Sequence, residues 1–118
     1  MSWNELEILA ERQTVLKAAQ AMLAGTVSYI EGVRQIVGAW RGSKLDEWDA
    51  DFLPFVAIES ETETLPFGEM RKYWQAAALE ALQPEIERSE AWAKEVGEQH
   101  CMNIVKRLSD DGSDRTLE

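Results

Sequence analysis

Residues 4–24 read NELEILAERQTVLKAAQAMLA, and this stretch decides the fold class. Its large apolar side chains form two adjacent rows with a seven-residue repeat: Ile8, Val15 and Met22, and beside them Leu9, Leu16 and Leu23. Two such rows make a broad apolar face, as a helix that packs on a core requires. Gly25 follows directly and predicts the end of the helix, because glycine adopts the left-handed conformation at little cost.

Ser28 begins a second predicted helix. Residues 28–31 read SYIE and fit a capping box, in which a serine hydroxyl and a glutamate satisfy the free amide groups of the first turn. Apolar residues then follow at helical spacing: Tyr29, Val33, Ile36, Val37 and Trp40. Gly42 predicts the end of this helix. Because the link between the two helices is short, we expect them to form an antiparallel hairpin.

Prolines punctuate the rest of the chain. A short helix fits residues 51–59, with Asp51 as its N-cap and Pro54 in its first turn. Pro66 predicts the start of a fourth helix near its first turn. Pro84 predicts a restart as a fifth helix, because the residue before a proline is pushed out of the helical region.

The sequence therefore predicts an all-α fold, a compact bundle of four longer helices plus one short helix. The last helix is expected to end at about Leu108, and its inner positions recur at helical spacing: Ile86, Ala93, Val96, His100, Ile104 and Leu108. We expect residues 1–108 to form a single helical domain. Residues 109–118 are polar and acidic, and they predict a disordered tail.

The chain of 118 residues has a formal net charge of −10. A field of this sign repels nucleic acid and anionic lipids and attracts basic proteins, so we expect no nucleic-acid or membrane binding. No apolar stretch approaches the ~18 residues of a transmembrane helix, and the N-terminus lacks the pattern of a signal peptide. Cys101 is the single cysteine and cannot form an internal disulfide. Together these features predict a cytoplasmic protein.

Residues 45–70 carry eight carboxylates and no Lys, Arg or His. The segment is either a solvated acidic surface or a docking surface for a basic protein, whose approach long-range attraction would speed. A third interpretation, a Ca²⁺ or Mg²⁺ site, is disfavoured because the segment lacks the glycine and the distal bidentate glutamate of a calcium loop. The candidate partner or ligand surface comprises Asp46, Glu47, Trp48, Asp49, Asp51, Glu59, Glu61, Glu63, Glu69, Arg71 and Trp74.

Two other patterns are candidates for a catalytic or ligand site. His100 and Cys101 are adjacent in a predicted helix, where neighbouring side chains project about 100° apart, so a nucleophilic pair is disfavoured and we expect a half-buried histidine and an inert buried cysteine. Residues 59–66 are interpreted as a helix-capping loop, with Arg71 folding back onto a carboxylate, or alternatively as a ligand or partner loop. We predict no catalytic residue, no metal site and no cofactor.

Several short stretches between residues 51 and 93 resemble a known family. They are FVAI at 55–58, SET at 60–62, LP at 65–66, Gly68, Arg71, Trp74, PEI at 84–86 and EAWA at 90–93. The chain resembles, over most of residues 15–108, a family of small bacterial proteins known only as a domain of unknown function. The resemblance implies a bacterial cytoplasmic source and brings no activity, cofactor or site residue.

Three hypotheses for function follow from the sequence. The first is a non-catalytic protein-interaction module whose acidic surface binds a basic protein, for example an immunity- or antitoxin-like inhibitor. The alternative is a small-molecule-binding helical module with a pocket near Arg71 and Trp74. An enzyme that uses Glu59, Glu61 or Glu63 with Arg71 is disfavoured, because acid–base chemistry requires convergent groups that the sequence does not indicate. A homo-oligomer is possible, but nothing in the sequence indicates one.

Overall fold

A computed structural model describes the backbone of residues 3–117 and the side chains of residues 4–109. Over residues 3–117 the fold is all-α, as predicted, with four α-helices: Trp3–Ala24 (α1), Tyr29–Trp40 (α2), Leu53–Thr62 (α3) and Ala76–Leu117 (α4). Two 3₁₀ segments, Arg41–Ser43 and Gly68–Tyr73, lie in the connections. Within residues 3–117, no helix is long and apolar enough to cross a membrane.

The antiparallel hairpin predicted for α1 and α2 is confirmed. Gly25 has a φ of +80° and ends α1, and the Thr26 amide donates to the Ala21 carbonyl at 3.0 Å. At the opposite end of the pair, Arg12 Nε donates to the Ser43 carbonyl at 2.9 Å. The two contacts fix the turn at one end and the register at the other.

The start of α2 is capped twice. Ser28 Oγ accepts a hydrogen bond from the Glu31 amide at 3.1 Å, which confirms the predicted N-cap. From α4, the Glu90 carboxylate accepts hydrogen bonds from the Tyr29 and Ile30 amides. A carboxylate in this position satisfies free amides and complements the positive end of the helix dipole. The contact also fixes α4 against the start of α2.

The core lies between α1, α2, α3 and α4. Val15 and Met22 from the first predicted row of α1 are fully buried, whereas Leu9 and Leu16 from the second row are half-buried at its edge. The inner positions predicted for the last helix are confirmed as buried or half-buried. The buried members of α4 are Ile86, Ala93, Gly97, Cys101, Ile104 and Leu108.

The roles predicted for two residues at helix ends were wrong. Gly42 does not end α2: a 3₁₀ turn follows, and Lys44 has the positive φ, +63°. Gly42 instead allows close approach, since a β-carbon there would lie 2.9 Å from Glu11 Cγ. Asp51 is not an N-cap: α3 begins after Phe52 without a side-chain cap, while the Asp51 carboxylate binds side chains of α4. Pro54 lies in the first turn of α3, as predicted.

The helix boundaries predicted at two other prolines were also wrong. Pro66 is buried and precedes the 3₁₀ segment, so α4 starts ten residues later, at Ala76. Pro84 lies inside α4. An interior proline costs about 3 kcal/mol. Pro84 is exposed, however, and the apolar residues on either side of it, Leu82 and Ile86, both pack against the core, which favours a continuous helix.

The C-terminal end of α4 extends beyond the predicted boundary at Leu108. Its backbone is helical through Leu117. The side chains of residues 110–117 and all of Glu118 lie outside the described residues. The disordered acidic tail predicted for residues 109–118 therefore stays a prediction, as does the limit of the domain at residue 108.

Candidate functional site

The connection between α2 and α3 is held against the core and presents one tryptophan to solvent. The Trp40 ring stacks on the Phe52 ring with centroids 4.4 Å apart, and Trp40 Nε1 donates to the Asp46 carbonyl at 2.9 Å. Asp46 Oδ1 accepts a hydrogen bond from the Trp48 amide at 3.0 Å, which closes a tight Asx turn. Trp48 projects from this turn and is 79% exposed.

A polar cluster ties the same connection to α4. His100 Nδ1 lies 2.9 Å from Asp51 Oδ1, and Asn103 Nδ2 donates to the same oxygen at 2.8 Å. Arg107 Nη1 donates to Asp51 Oδ2 at 3.0 Å and to Asp49 Oδ1 at 2.8 Å, while Arg107 Nη2 donates to Asp49 Oδ2 at 2.7 Å. The described carboxylate oxygens of Asp49 and Asp51 are thus all bound within the fold.

The cluster stabilises its two carboxylates in the ionised form. Hydrogen bonds from Arg107 lower the pKa of Asp49 below its ordinary value, against the opposing effect of burial. For Asp51, burial raises the pKa, but hydrogen bonds from Asn103, His100 and Arg107 outweigh it and the net pKa is lowered. The same contacts raise the pKa of Arg107, through its hydrogen bond to Asp49 first.

This placement separates two residues from the rest of the predicted surface. The Asp49 and Asp51 side chains are only 16% and 15% exposed, and Arg107 of the same chain pairs with both, so these carboxylates face the fold rather than solvent. Sequence reasoning missed Asn103 and Arg107. A signal was present, because polar residues 100, 103 and 107 follow the i, i+3, i+7 spacing of one helical stripe beside the apolar stripe of α4.

An open groove lies beside Trp48, which we call the Trp48 groove. It has a volume of about 410 Å³ and is lined by Val37, Arg41, Glu47, Trp48, Phe52, Leu53, Val56 and Glu59. Leu53 and Val56 are 41% and 37% exposed, although they belong to the large apolar residues of α3. Carboxylates border this apolar surface: Glu59 on α3, and Glu47, which forms an exposed ion pair with Arg41 at 2.8 Å.

The other predicted site residues lie elsewhere. Glu61 lines a separate cavity of about 310 Å³ with Arg88 and Trp92. Glu69 pairs with Lys72 at 2.7 Å on the exposed 3₁₀ segment. Of the remaining candidates, Glu63 is exposed, Arg71 is half-buried and Trp74 is 37% exposed. The eleven candidate residues thus form several separate groups.

The sequence predicted that Arg71 folds back onto a carboxylate of residues 59–66. The arginine that the structure places against the end of this segment is Arg34, and it binds backbone carbonyls. Arg34 Nη2, on α2, donates to the Thr62 carbonyl at 2.7 Å and to the Leu65 carbonyl at 3.0 Å. The Arg34 guanidinium also lies over the Phe67 ring, 5.3 Å from its centroid. A cation at the C-terminal end of α3 satisfies carbonyl groups that lack helical partners. Residues 59–62 belong to α3 itself, so they do not cap a following helix.

His100 and Cys101 match their predicted roles. His100 is half-buried and bound to Asp51, whereas Cys101 is fully buried. Burial raises the pKa of the Cys101 thiol to about 12. A thiol of this kind forms little of the thiolate that nucleophilic chemistry requires. Within the described part of the chain, no three His, Cys, Asp or Glu side chains are grouped so as to hold a metal ion.

Comparison with known proteins gives no relative. No protein-family model matches the chain, no curated protein matches it, and no solved structure matches it. The resemblance to a bacterial family of unknown function therefore stays a prediction. The candidate site is interpreted from its own geometry and charge.

Proposed function

We propose that this chain is a non-catalytic protein-interaction module that binds a basic protein through the Trp48 groove. The observation that carries the proposal is the exposure of Trp48, 79%, next to an apolar surface bordered by Glu47 and Glu59. Tryptophan is among the residues that contribute most to protein–protein binding, particularly beside pockets that exclude water.

Apolar burial supplies part of the binding free energy. Covering most of a tryptophan, about 200 Å² at roughly 25 cal/mol per Å², contributes about 5 kcal/mol. Association itself costs an estimated 4–15 kcal/mol or more, so Trp48 alone would bind nothing tightly. Leu53 and Val56, also exposed at the groove, enlarge the apolar contact. We therefore expect the partner to insert an apolar side chain between Trp48 and α3.

The negative charge of the chain favours a positively charged partner. The chain carries a net charge of −10, and Glu59 lines the apolar part of the groove. Glu47 is paired with Arg41, but an exposed ion pair contributes only about 0–1 kcal/mol, so a cation of the partner can replace Arg41. Attraction of this kind mainly speeds association and weakens as salt is added.

An immunity- or antitoxin-like inhibitor of a basic protein is one concrete form of this function. Three features support this form: the chain is small, it is strongly acidic, and carboxylates border its apolar groove. In this form the acidic groove covers a basic functional surface on the partner. The mechanism needs no chemistry from this chain, only a rigid Trp48 connection, and the polar cluster with Arg107 provides that rigidity.

The test is affinity capture from the native host at low and high salt with mass spectrometry, followed by calorimetry on the captured protein. We expect Trp48→Ala to weaken binding by about 2 kcal/mol, roughly thirtyfold. Glu59→Lys should weaken it about tenfold, whereas Glu61→Lys, the same charge reversal on the same helix but outside the groove, should change it less than threefold. Equal effects of the two reversals, or an unchanged affinity for Trp48→Ala, would contradict the proposal.

A small-molecule-binding module is the second candidate. The volume of the Trp48 groove falls in the ~300–1,000 Å³ range of ligand sites, whereas Arg71 and Trp74, predicted to line a pocket, line neither this groove nor the Glu61 cavity. A thermal-shift screen against a metabolite panel tests this candidate. A stabilising ligand that fails to stabilise Trp48→Ala would support it, and a screen without any stabilising ligand would count against it.

A further inference from the structure

A second exposed apolar surface lies in the 3₁₀ segment just before α4. None of its residues lines the Trp48 groove. Met70 is 52% exposed, Tyr73 80% and Trp74 37%. The side-chain contacts that the structure gives this 3₁₀ segment are internal to it: Lys72 pairs with Glu69 at 2.7 Å and lies 5.5 Å from the centroid of the Tyr73 ring. Large apolar side chains grouped in this way on a monomer commonly mark an interaction site.

The first turns of α4 continue this surface. Ala76, Ala77 and Ala81 are exposed, and the first buried residue of α4 is Ile86. Since these alanines are exposed, no helix of the described chain covers them. Alanine leaves room for another helix axis at the short end of the usual 8–10 Å separation.

We propose that residues 70–81 form a surface, here called the 70–81 surface, that pairs with the same surface of a second copy of this chain in an antiparallel dimer. A two-fold axis makes such an interface self-complementary, because residue i of one copy meets residue j of the other and the reverse also holds. The proposal concerns residues outside the Trp48 groove and does not rest on the function proposed for that groove.

Charge favours a second copy as the occupant. The net charge of −10 opposes contact between copies over most of the molecule. The 70–81 surface differs: Arg71 lies at one end, Glu80 lies at the other, and residues 73–79 carry no charged side chain. Lys72 already pairs with Glu69 of its own segment. Antiparallel pairing brings Arg71 of each copy to Glu80 of the other, so both ends of the interface are complementary.

Area limits the strength of the dimer. Aromatic side chains present about 150–250 Å² each, so the exposed parts of Tyr73, Trp74 and Met70 together offer on the order of 350 Å² per copy. A specific, stable interface buries about 800 Å² per partner. The three side chains supply under half of that, and the exposed Ala77 and Ala81 add only a small area. The interface is therefore smaller than that of a stable complex, and the dimer is expected to be weak. We expect association that depends on protein concentration in the micromolar range.

Sedimentation velocity over a range of protein concentrations tests the proposal. We expect wild type to shift from monomer to dimer with increasing concentration, and Tyr73→Glu to raise the dissociation constant at least tenfold. Trp48→Glu is the matched control, since Trp48 is 79% exposed and Tyr73 80%, and it should dimerise like wild type. Circular dichroism checks that each variant keeps its helix content.

Reversing the charges of Arg71 and Glu80, singly and together, tests the antiparallel arrangement. Arg71→Glu and Glu80→Arg should each weaken the dimer, and the double variant should recover most of the loss. A wild-type chain that stays monomeric up to about 1 mM would overturn the proposal. A dimer that Tyr73→Glu leaves intact, or that Trp48→Glu disrupts, would overturn it as well and would place the contact elsewhere. None of these results bears on the function proposed for the Trp48 groove. Binding of a basic protein there is tested separately, by the effects of Trp48→Ala and Glu59→Lys on that binding.

Discussion

Arg107, on the last helix, holds Asp49 through two parallel hydrogen bonds, Nη1 to Oδ1 at 2.8 Å and Nη2 to Oδ2 at 2.7 Å. The residues are 58 positions apart in the chain. The same guanidinium reaches Asp51 at 3.0 Å, so one side chain fixes the connection on both sides of Ala50. Planar, two-point pairing of this kind sets geometry as well as energy. It holds in place the connection from which Trp48 projects.

Removal of this arginine should destabilise the fold. We expect Arg107→Ala to lower the free energy of unfolding by about 1–2 kcal/mol, because Asp49 and Asp51 would remain partly buried without their cation. The figure is at the low end for such pairs, since the Arg107 side chain is 41% exposed and solvent screens part of the interaction. Urea unfolding gives the measurement. Lys106→Ala, an exposed neighbour, should cost under about 0.5 kcal/mol, and similar losses in the two variants would contradict this account.

Acid should weaken the same cluster. In the folded chain the pKa of Asp49 is lowered by hydrogen bonds from Arg107, and that of Asp51 is lowered by Asn103, His100 and Arg107 in spite of burial. The unfolded chain therefore binds these protons more tightly, and the stabilisation is present above about pH 4 and lost as the pH falls through the lowered pKa values. Urea midpoints between pH 6 and pH 3 should fall more steeply for wild type than for Arg107→Ala. Parallel pH profiles would show that the cluster does not set the acid sensitivity.

One buried hydroxyl should be dispensable. Tyr29 is 5% exposed, and its oxygen has no hydrogen-bond partner among the described residues. Burial also raises the pKa of Tyr29 to about 12, with smaller effects of Cys101, Glu98 and Glu90. An unsatisfied buried hydroxyl costs about 1–3 kcal/mol, so Tyr29→Phe should leave the free energy of unfolding unchanged or raise it by about 1 kcal/mol. Tyr73→Phe, at an 80% exposed position, is the control and should change it by less than about 0.5 kcal/mol. A loss above about 1 kcal/mol in Tyr29→Phe would mean that the hydroxyl is bound.

The single cysteine should be unreactive in the native state. Cys101 is fully buried, and burial raises its pKa to about 12. At pH 8 an unperturbed thiol with a pKa near 8.5 is roughly one-quarter thiolate, whereas a thiol with a pKa of about 12 is about one part in ten thousand. We expect labelling by a disulfide reagent to be at least about a thousandfold slower in buffer than in urea. Complete labelling of the folded protein within minutes would show that Cys101 is accessible.

The fold class was predictable because it depends on local patterns. The left-handed Gly25 and the Ser28 cap each act within one turn, and both are confirmed. Of the two apolar rows of α1, Val15 and Met22 of the first row are buried, whereas Leu23 of the second row is exposed. Pro84 was misjudged because its effect depends on where it lies: on the exposed side of α4, the packing of Leu82 and Ile86 against the core supports the helix across it. Gly42 was misjudged because the reason for it, the neighbouring Glu11, lies on another helix.

Only part of the candidate site was predictable: the sequence analysis named Glu47, Trp48 and Glu59 of the Trp48 groove, but neither the apolar residues that line it nor Arg107 of the polar cluster. The sequence indicated that residues 45–70 are acidic. Which of their carboxylates are paired within the fold depends on α4, because Arg107 binds Asp49 and Asp51. Glu59 and Glu61, two positions apart on α3, line different cavities because successive helical side chains point around the axis. Pairing between distant segments of this kind leaves little trace in a single sequence.

Hydrogen exchange measured by mass spectrometry, with and without a basic protein captured from the native host, tests the central proposal most directly. Binding in the Trp48 groove predicts slower amide exchange over residues 45–60 in the complex, with no added protection over residues 12–24 of α1. The same protection should disappear when Trp48→Ala or Glu59→Lys replaces wild type. Protection confined to α1 or to the start of α4, with residues 45–60 exchanging as in the free chain, would contradict the account.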